Sequence, residues 1–274
     1  MSKEIHPPKA YKNDDFLNSG AARNIRVLCE MSEPEARFKE ENIQDTLVYF
    51  GSARSIPEVE AKANLEGLEK ALKDPANPST AETGAISKAK AQLKLAPYYD
   101  AAVELSSRMT KWSIALRNPQ LRFISCTGGG PGMMEAANRG AQNAKGASIG
   151  LGISLPFEQG LNPYVTPDLA FEFHYFFVRK YCFAYWAKAI VVFPGGFGTM
   201  DELFELMTLI QTGKISKKMP IVLFGAKFWN DILNFDAFVE WGVISPSDLD
   251  LFKIVDTVEE AEEFLIAELS ALYL

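Results

Sequence analysis

The segment Pro194–Glu202, with the sequence PGGFGTMDE, combines a turn-forming glycine cluster with a carboxylate. Its glycines are Gly195, Gly196 and Gly198. Without a Cβ, these residues let the backbone turn sharply and approach a ligand closely. A helix expected to begin near Thr199 would point its free N–H groups back at the turn, an arrangement that binds anions. The segment therefore predicts a phosphate-binding turn with Glu202 beside it.

Glu202 has two interpretations at this point. Thr199-x-x-Glu202 matches a capping box, in which each side chain accepts a hydrogen bond from an otherwise unpaired backbone N–H group. In that case Glu202 stabilises the helix. A carboxylate beside a phosphate turn could instead act on a bound substrate. The spacing alone leaves both roles open.

A second glycine-rich turn, TGGGPGMME at residues 127–135, follows the short strand predicted at Leu121–Cys126. Its glycines are Gly128, Gly129, Gly130 and Gly132. Pro131 suits the first turn of a helix, where its missing N–H is no loss. A phosphate cradle is favoured over a plain turn. The dinucleotide fingerprint is not met, because Met133 stands where a small residue is required, and the chain has no P-loop motif.

Two further segments carry residues that can contact a nucleotide. Gly51, Ser52 and Arg54 follow a β-rich run, and they indicate either a nucleotide contact or an ordinary turn. Arg179 and Lys180 follow the aromatic segment FEFHYFF at 171–177, predicted as a strand or extended edge, and open a helix through Trp186. They form either a phosphate or base pocket or a solvated helix start. A formal GxSxG at 146–150 lacks the strand before and the helix after its serine that a hydrolase requires.

Strands alternate with helices along the chain, which predicts an α/β protein with a doubly wound, mostly parallel sheet and flanking helices. Ligands bind such sheets at the carboxyl ends of the strands. The loops after Phe50, Cys126 and Phe193 lie at those ends. We expect an N-terminal arm and helix over 1–41, interrupted near Pro34, and a single domain over 42–274. That domain would carry a helical insertion near 55–96 and a loop over 156–167.

Composition limits the classes of partner. The 274 residues are 47% hydrophobic and carry a net charge of −7, which argues against a surface that wraps nucleic acid. The three cysteines form no CxxC pair, so a reduced, cytoplasmic setting is the simpler expectation. The first 19 residues lack the apolar core of a signal peptide, and no apolar run reaches the roughly 20 residues needed to span a membrane. We expect a soluble protein.

Together these motifs resemble the LONELY GUY family. The segments that carry the resemblance are GSAR at 51–54, GGGPGMMEAANRGA at 128–141, Phe177-x-Arg179-Lys180 and PGGFGTMDE at 194–202. The last matches the family signature PGGxGTxxE at every fixed position, and the similarity runs from about Thr46 to Phe224. The resemblance implies a Rossmann-like fold and a phosphoribohydrolase that cleaves AMP or cytokinin ribotides to free base and ribose 5-phosphate.

The resemblance also implies roles for individual residues. Arg179 and Glu202 would be the catalytic pair, and the phosphate and ribose would lie against the glycine turns, with Thr199 as a hydroxyl donor. The nucleotide pocket would be lined by Ser52, Met134 and Arg139. Arg179 would polarise the leaving base or fix the phosphate, since it is always protonated.

Partners and cofactors follow from the same resemblance. The expected partner is a small nucleoside monophosphate, without cofactor or metal, and family members usually form homodimers or higher homo-oligomers. Members have often been labelled possible lysine decarboxylases, yet no residue pattern here supports pyridoxal phosphate chemistry. The alternative is a non-catalytic carrier of a nucleotide or of molybdenum cofactor, as some relatives with this fold are thought to be.

Overall fold

The chain forms one seven-stranded sheet in the computed structural model, which describes residues 6–72, 74, 78–155 and 160–274. The strands are β1 (Asp45–Phe50), β2 (Phe123–Thr127), β3 (Ser148–Ile153), β4 (Ala170–Phe173), β5 (Ala187–Val192), β6 (Ile221–Phe224) and β7 (Phe252–Val255). Residues 1–5 of the predicted arm, 73 and 75–77 of the predicted insertion and 156–159 of the predicted loop lie outside the described residues.

Helices lie before, between and after these strands. They are α1 (Asp14–Leu17), α2 (Arg23–Glu40), α3 (Glu58–Lys70), α4 (Thr80–Ala115), α5 (Met133–Asn143), α6 (Phe176–Trp186), α7 (Phe197–Gln211), α8 (Ala226–Ile232), α9 (Phe235–Glu240) and α10 (Val258–Tyr273). All six strand pairings are parallel. The predicted α/β fold with a doubly wound sheet is therefore confirmed.

The strand order is β4-β3-β2-β1-β5-β6-β7. The chain runs outward from β1 through β2, β3 and β4, and then returns to place β5 on the other side of β1. This reversal makes the carboxyl ends of β1 and β5 the switch point of the sheet, where doubly wound proteins bind ligands. The loops that follow β1, β2 and β5 are the three predicted to carry the site.

Side chains alternate between the two faces of the sheet. On β1, Val48 and Phe50 pack with α2, α6 and α7 on one face, whereas Leu47 and Tyr49 pack with α4, α5 and α10 on the other. A parallel sheet covered on both faces needs apolar residues at successive positions, because each face is buried. The sheet is therefore a fixed base for the loops at its edge.

Three predicted boundaries were wrong. Helix α2 continues through Pro34, which is buried with Phe38 against the sheet, so packing outweighs the local cost of the proline. Helix α5 begins at Met133, after Pro131. The aromatic segment is a strand only to Phe173, and α6 begins at Phe176.

The predicted insertion comprises α3 and the first half of α4. Helix α4 is one helix of 36 residues that passes through Pro97, and it packs closely against both α3 and α5. The division into 1–41 and 42–274, with 55–96 as an insertion, stays a prediction. Among the described residues, none of the helices has the length and apolar character needed to cross a membrane.

Candidate active site

Backbone hydrogen bonds tie three loops together at the carboxyl edge of the sheet. The Ser52 N–H donates to the Pro194 carbonyl at 3.0 Å, and the Ser52 carbonyl accepts from the Met133 N–H at 3.0 Å. Ser52, which follows β1, thus joins the turn after β5 to the start of α5. The predicted convergence of these loops is present in the structure, although the Ser52 contacts are made by its backbone.

The turn after β2 is held by buried side chains. The Thr127 hydroxyl donates to Asn138 Oδ1 at 2.7 Å and accepts from the Gly129 N–H at 2.9 Å. Asn162 Nδ2 lies 3.0 Å from each of the Gly129 and Gly130 carbonyls and 2.9 Å from Asn138 Oδ1. We call residues 127–132 the closed turn, because its backbone groups are bound by the chain itself.

Glycine is required in the closed turn by the chain's own packing. Gly132 has φ +72°, and a Cβ there would collide with the Ser52 carbonyl and the Ala53 backbone. Gly51 opposite admits the Met133 side chain, whose Cγ would lie 2.6 Å from an added Cβ. Steric fit alone explains these glycines.

The turn after β5 has a different character. We call residues 194–198 the open turn: α7 begins at Phe197, and Gly196 is its N-cap without a side-chain hydrogen bond. Space is open around the Cβ position of both Gly196 and Gly198, and neither has a positive φ. The Phe197 side chain is 96% exposed. Neither strain nor packing accounts for these two glycines.

The first N–H groups of α7 point out of the open turn. The first intrahelical bond runs from the Met200 N–H to the Gly196 carbonyl, so the N–H groups of residues 197–199 precede the helical ladder. Together with the helix dipole, such groups attract an anion. The backbone at the start of α7 is compatible with the predicted phosphate turn, which stays a prediction.

The predicted capping box is wrong. Because α7 begins at Phe197, Thr199 lies inside the first turn, and its side chain packs against Gly195. Glu202 is one turn further along and is only 5% exposed. The helix-capping explanation for Glu202 is thereby removed, since α7 has Gly196 as its N-cap and the Glu202 side chain is buried.

Glu202 meets Arg179 between α7 and α6. Arg179 Nη2 lies 3.4 Å from Glu202 Oε1, and the two side chains are 14% and 7% exposed. The guanidinium also lies 5.3 Å and 5.6 Å from the ring centroids of Phe176 and Phe183. A contact of 3.4 Å is long beside the usual charged hydrogen bond of about 2.8 Å, so Glu202 can accept a further hydrogen bond.

Burial raises the pKa of Glu202 to about 7, against the lowering effect of Arg179 and Lys180. The desolvation penalty on the charged form thus exceeds the attraction of both cations. A carboxyl group with a pKa near neutrality exchanges protons readily at pH 7, as a general base must. The raised pKa results from the buried position of Glu202 in the folded protein.

Lys180 forms a second link between the same helices. Its Nζ lies 2.8 Å from Asp201 Oδ1 and 2.9 Å from Glu205 Oε2. These carboxylates flank Glu202 on α7, so two neighbouring cations of α6 bind three acidic residues of α7. Lys180 therefore fixes the relative position of the helices that carry the pair.

The remaining predicted residues divide into two groups. A Cβ on Gly128 would lie 2.8 Å from Met134 Sδ and 3.8 Å from Arg179 Nη1, so Met134 and Arg179 both lie close to Gly128. Arg139 lies elsewhere: it stacks 5.8 Å from the Tyr164 ring centroid and lines an open groove of about 770 Å³ between α3, α4 and α5. The structure does not bring Arg139 to Arg179 and Glu202, and its nucleotide contact stays a prediction.

Sequence reasoning missed the residues that hold the closed turn. Asn138 and Asn162 are separated by 24 positions, and Asn162 lies in a segment interpreted only as a loop. Asn138 stands at a helical position that is otherwise apolar, between Ala137 and Gly140, and a buried amide there was the available signal. Asn162 gave no local signal, because its partners are distant in sequence.

The site combines the open turn, whose backbone N–H groups can bind an anion, with the buried carboxylate of Glu202 and the cation of Arg179. Across the described part of the chain, no group of three His, Cys, Asp or Glu residues is placed to hold a metal ion. The arrangement can bind a phosphate and place a carboxylate against an electron-poor centre.

Known proteins share this sequence pattern. The family model described as "Possible lysine decarboxylase" matches residues 134–265. The chain is 28% identical over 173 residues to a cytokinin riboside 5'-monophosphate phosphoribohydrolase of Arabidopsis thaliana, covering 62% of this chain and 74% of that protein. It is 30% identical over 180 residues to an Oryza sativa subsp. japonica protein named "Probable cytokinin riboside 5'-monophosphate phosphoribohydrolase", covering 64% and 67%.

Among solved structures, the chain is similar to the Moco carrier protein from Chlamydomonas reinhardtii, with 18% identity and a TM-score of 0.45 over 83% of this chain and 99% of that one. A likeness at this level bears on neither activity nor ligand. The sequence relatives, over two thirds or more of their length, carry the assignment, and the chain belongs to the LONELY GUY family.

Proposed function

We propose that the protein hydrolyses the N-glycosidic bond of nucleoside 5'-monophosphates, such as AMP or cytokinin ribotides, to free base and ribose 5-phosphate. The observation that carries the proposal is the position of Glu202. It is a buried carboxylate with a raised pKa, paired at 3.4 Å with Arg179 and one turn from an open anion turn. A helix-capping role does not account for it.

The reaction adds one water molecule across the bond between the base and C1 of the ribose. As the base leaves with the bonding electron pair, positive charge develops on the ribose. The Glu202 carboxylate stabilises this charge and accepts a proton from the attacking water, and the departing base takes up one proton from solvent, so that the elements of one water molecule are added in total. Arg179 polarises the base or binds the phosphate, because a guanidinium does not donate its proton at neutral pH.

The phosphate binds at the open turn in this proposal. The N–H groups at the start of α7 supply the donors, and the absence of a Cβ at Gly196 and Gly198 lets the oxygens approach the backbone. Phosphate at the start of α7 and the carboxylate one turn later would then bracket a single ribose. This explains why a nucleoside monophosphate, and not a nucleoside, is the proposed substrate.

Glu202→Gln tests the chemistry, with Glu205→Gln as the matched control. Both variants remove one negative charge from α7, but Glu205 contacts Lys180 instead of Arg179. Free base and ribose 5-phosphate are measured over a panel of nucleoside monophosphates. We expect Glu202→Gln to lower kcat by about 10²–10⁴-fold, and Glu205→Gln to remain within a factor of a few. Equal activity of Glu202→Gln and wild type would remove Glu202 from the mechanism.

The pH profile gives a second test. Because the ionised carboxylate is the active form, activity should rise with pH through the Glu202 pKa of about 7. The acid limb should disappear in Glu202→Gln.

Tight AMP binding without release of adenine over hours would instead favour the carrier function.

We also propose that the protein forms a homodimer or a higher homo-oligomer. On α6, Phe177, Tyr181 and Tyr185 recur at intervals of four residues and are all exposed. Exposed aromatic side chains on one helix face are typical of an interface. Light scattering of wild type and of Tyr181→Glu would decide whether this face associates.

A further inference from the structure

Helix α6, which carries Arg179, is held at its N-terminal end by a residue of α2. The Glu30 carboxylate accepts hydrogen bonds from the His174 N–H at 2.9 Å and the Tyr175 N–H at 3.2 Å, one through each oxygen. Tyr175 is the N-cap of α6 and provides no side-chain cap. Glu30 therefore supplies from a distant segment the negative charge that a helix N-terminus favours.

The C-terminal end of α6 is held by a half-buried lysine. Lys217 Nζ donates to the carbonyls of Ala184 and Tyr185, each at 2.7 Å. Burial, reinforced by Lys188, lowers the pKa of Lys217 to about 8. Removing an ammonium even partly from water is costly unless it is hydrogen-bonded, and the partners of Lys217 are the last carbonyls of the helix.

Helix α2 is itself firmly attached beside α6. The Phe38 ring lies 4.6 Å from Trp186 at the end of α6, and 5.5 Å from Phe171. Arg37 donates to the carbonyls of Asp168 and Ala170 at 3.0 Å and 2.8 Å. Glu30 is therefore presented from a fixed helix, which gives the N-terminal segment a part in placing α6.

We propose that Glu30 and Lys217 are positioning residues that fix α6 along its axis, so that Arg179 keeps its contact with Glu202. The proposal rests on the proposed function for its meaning in catalysis. The two residues grip opposite ends of a helix of 11 residues, each through two backbone hydrogen bonds with a charge of the sign that suits that end.

The position of α6 along its axis matters because a small shift of the helix would break the contact between Arg179 and Glu202. One residue along a helix is a rise of about 1.5 Å, and a shift of that size would break the 3.4 Å contact of Arg179 with Glu202. The charged groups around Glu202 are Arg179 and Lys180 on α6 and Asp201 and Glu205 on α7. Loosening α6 moves both cations away and leaves both carboxylates, so the pKa of Glu202 rises further.

The test uses Glu30→Gln and Lys217→Met in the full chain. Their controls are Glu40→Gln, an exposed carboxylate on the same α2, and Lys218→Met, an exposed neighbour of Lys217. Hydrogen exchange of the amides in 176–186 reports the attachment of α6 without reference to activity. We expect it to accelerate about 10-fold or more in both test variants, and to match wild type in both controls.

Kinetics then separate positioning from general weakening. With AMP as substrate, kcat should fall about 10- to 100-fold with a much smaller change in KM, and the acid limb should move to higher pH in the test variants alone. Exchange and acid limbs equal to those of the controls would overturn the proposal. If one variant does not fold, the other decides, because they act at opposite ends of α6.

The two proposals fail in different ways. Should wild type release no base from any nucleotide, the proposed function fails, while exchange in α6 still shows whether Glu30 and Lys217 hold the helix. If both test variants release base at the wild-type rate although exchange in α6 is accelerated, the proposed function stands. In that case the attachment of α6 by Glu30 and Lys217 is not important for catalysis.

Discussion

The closed turn after β2 and the open turn after β5 look alike in sequence, yet they differ in what their glycines are for. In the closed turn, Gly132 is required by its positive φ and by the nearby Ser52 carbonyl. In the open turn, Gly196 and Gly198 have room for a side chain. A glycine that the fold does not need is one that a ligand can explain.

The difference teaches that a glycine-rich strand-to-helix turn has two distinct physical uses. One use brings backbone segments of the chain close together, as Gly132 does with the backbone of Ser52 and Ala53. The other keeps backbone N–H groups accessible at a helix start. Variants that separate stability from activity distinguish these uses directly.

The largest expected effect on stability is that of Gly132→Ala. A Cβ at φ +72° meets backbone atoms that cannot move away, so we expect a loss of at least about 3 kcal/mol of unfolding free energy. Gly67→Ala is the control, since Gly67 lies in α3 with open space and should gain about 1 kcal/mol. Urea unfolding measures both, and a stable Gly132→Ala protein would contradict the steric account of the closed turn.

Glu202→Gln should raise stability at high pH. The folded-state pKa of about 7 lies above the ordinary 4.5, so the folded state holds more protons between these values and the free energy of unfolding falls as pH rises through that window. Gln behaves as the neutral acid, so we expect a gain of about 1–3 kcal/mol at pH 8 and almost none at pH 4.5. A loss of stability at pH 8 would show that the pair is a structural ion pair.

Asn162→Ala should weaken the closed turn by about 2 kcal/mol, because it leaves the buried Gly130 carbonyl without the Asn162 Nδ2 donor, while the Gly129 carbonyl keeps the Asn162 N–H at 2.7 Å. Activity per folded molecule should change less than stability. Thermal unfolding and AMP turnover are measured on the same preparation. Loss of turnover at full stability would assign Asn162 to the substrate instead.

The smallest expected effect on stability is that of Gly198→Ala in the open turn. Near the start of α7, with free space, alanine should change the free energy of unfolding by less than about 1 kcal/mol, in the stabilising direction. The added Cβ should nevertheless raise KM for AMP about 10-fold by keeping the phosphate from the backbone. An unchanged KM would place the phosphate elsewhere.

Local sequence patterns predicted the fold class and the loops that we expect to carry the site. Strands alternating with helices predicted a doubly wound sheet, and glycines after apolar runs marked the loops at its carboxyl edge. Glu202 was identified because its spacing within PGGFGTMDE is short and local. Such patterns can be recognised in a single sequence because the residues concerned lie within a turn of each other.

The surroundings of each residue, in contrast, follow from tertiary contacts. The start of α7 at Phe197 removed the capping explanation for Glu202, and burial beside Arg179 gave that carboxyl its raised pKa. Asn162 and Glu30 act on backbone groups 33 and 144 positions away, so no local pattern marks them. Desolvation and long-range hydrogen bonding depend on which segments the fold brings together, so spacing along the chain predicts which loops meet at the edge of the sheet but not the electrostatics there.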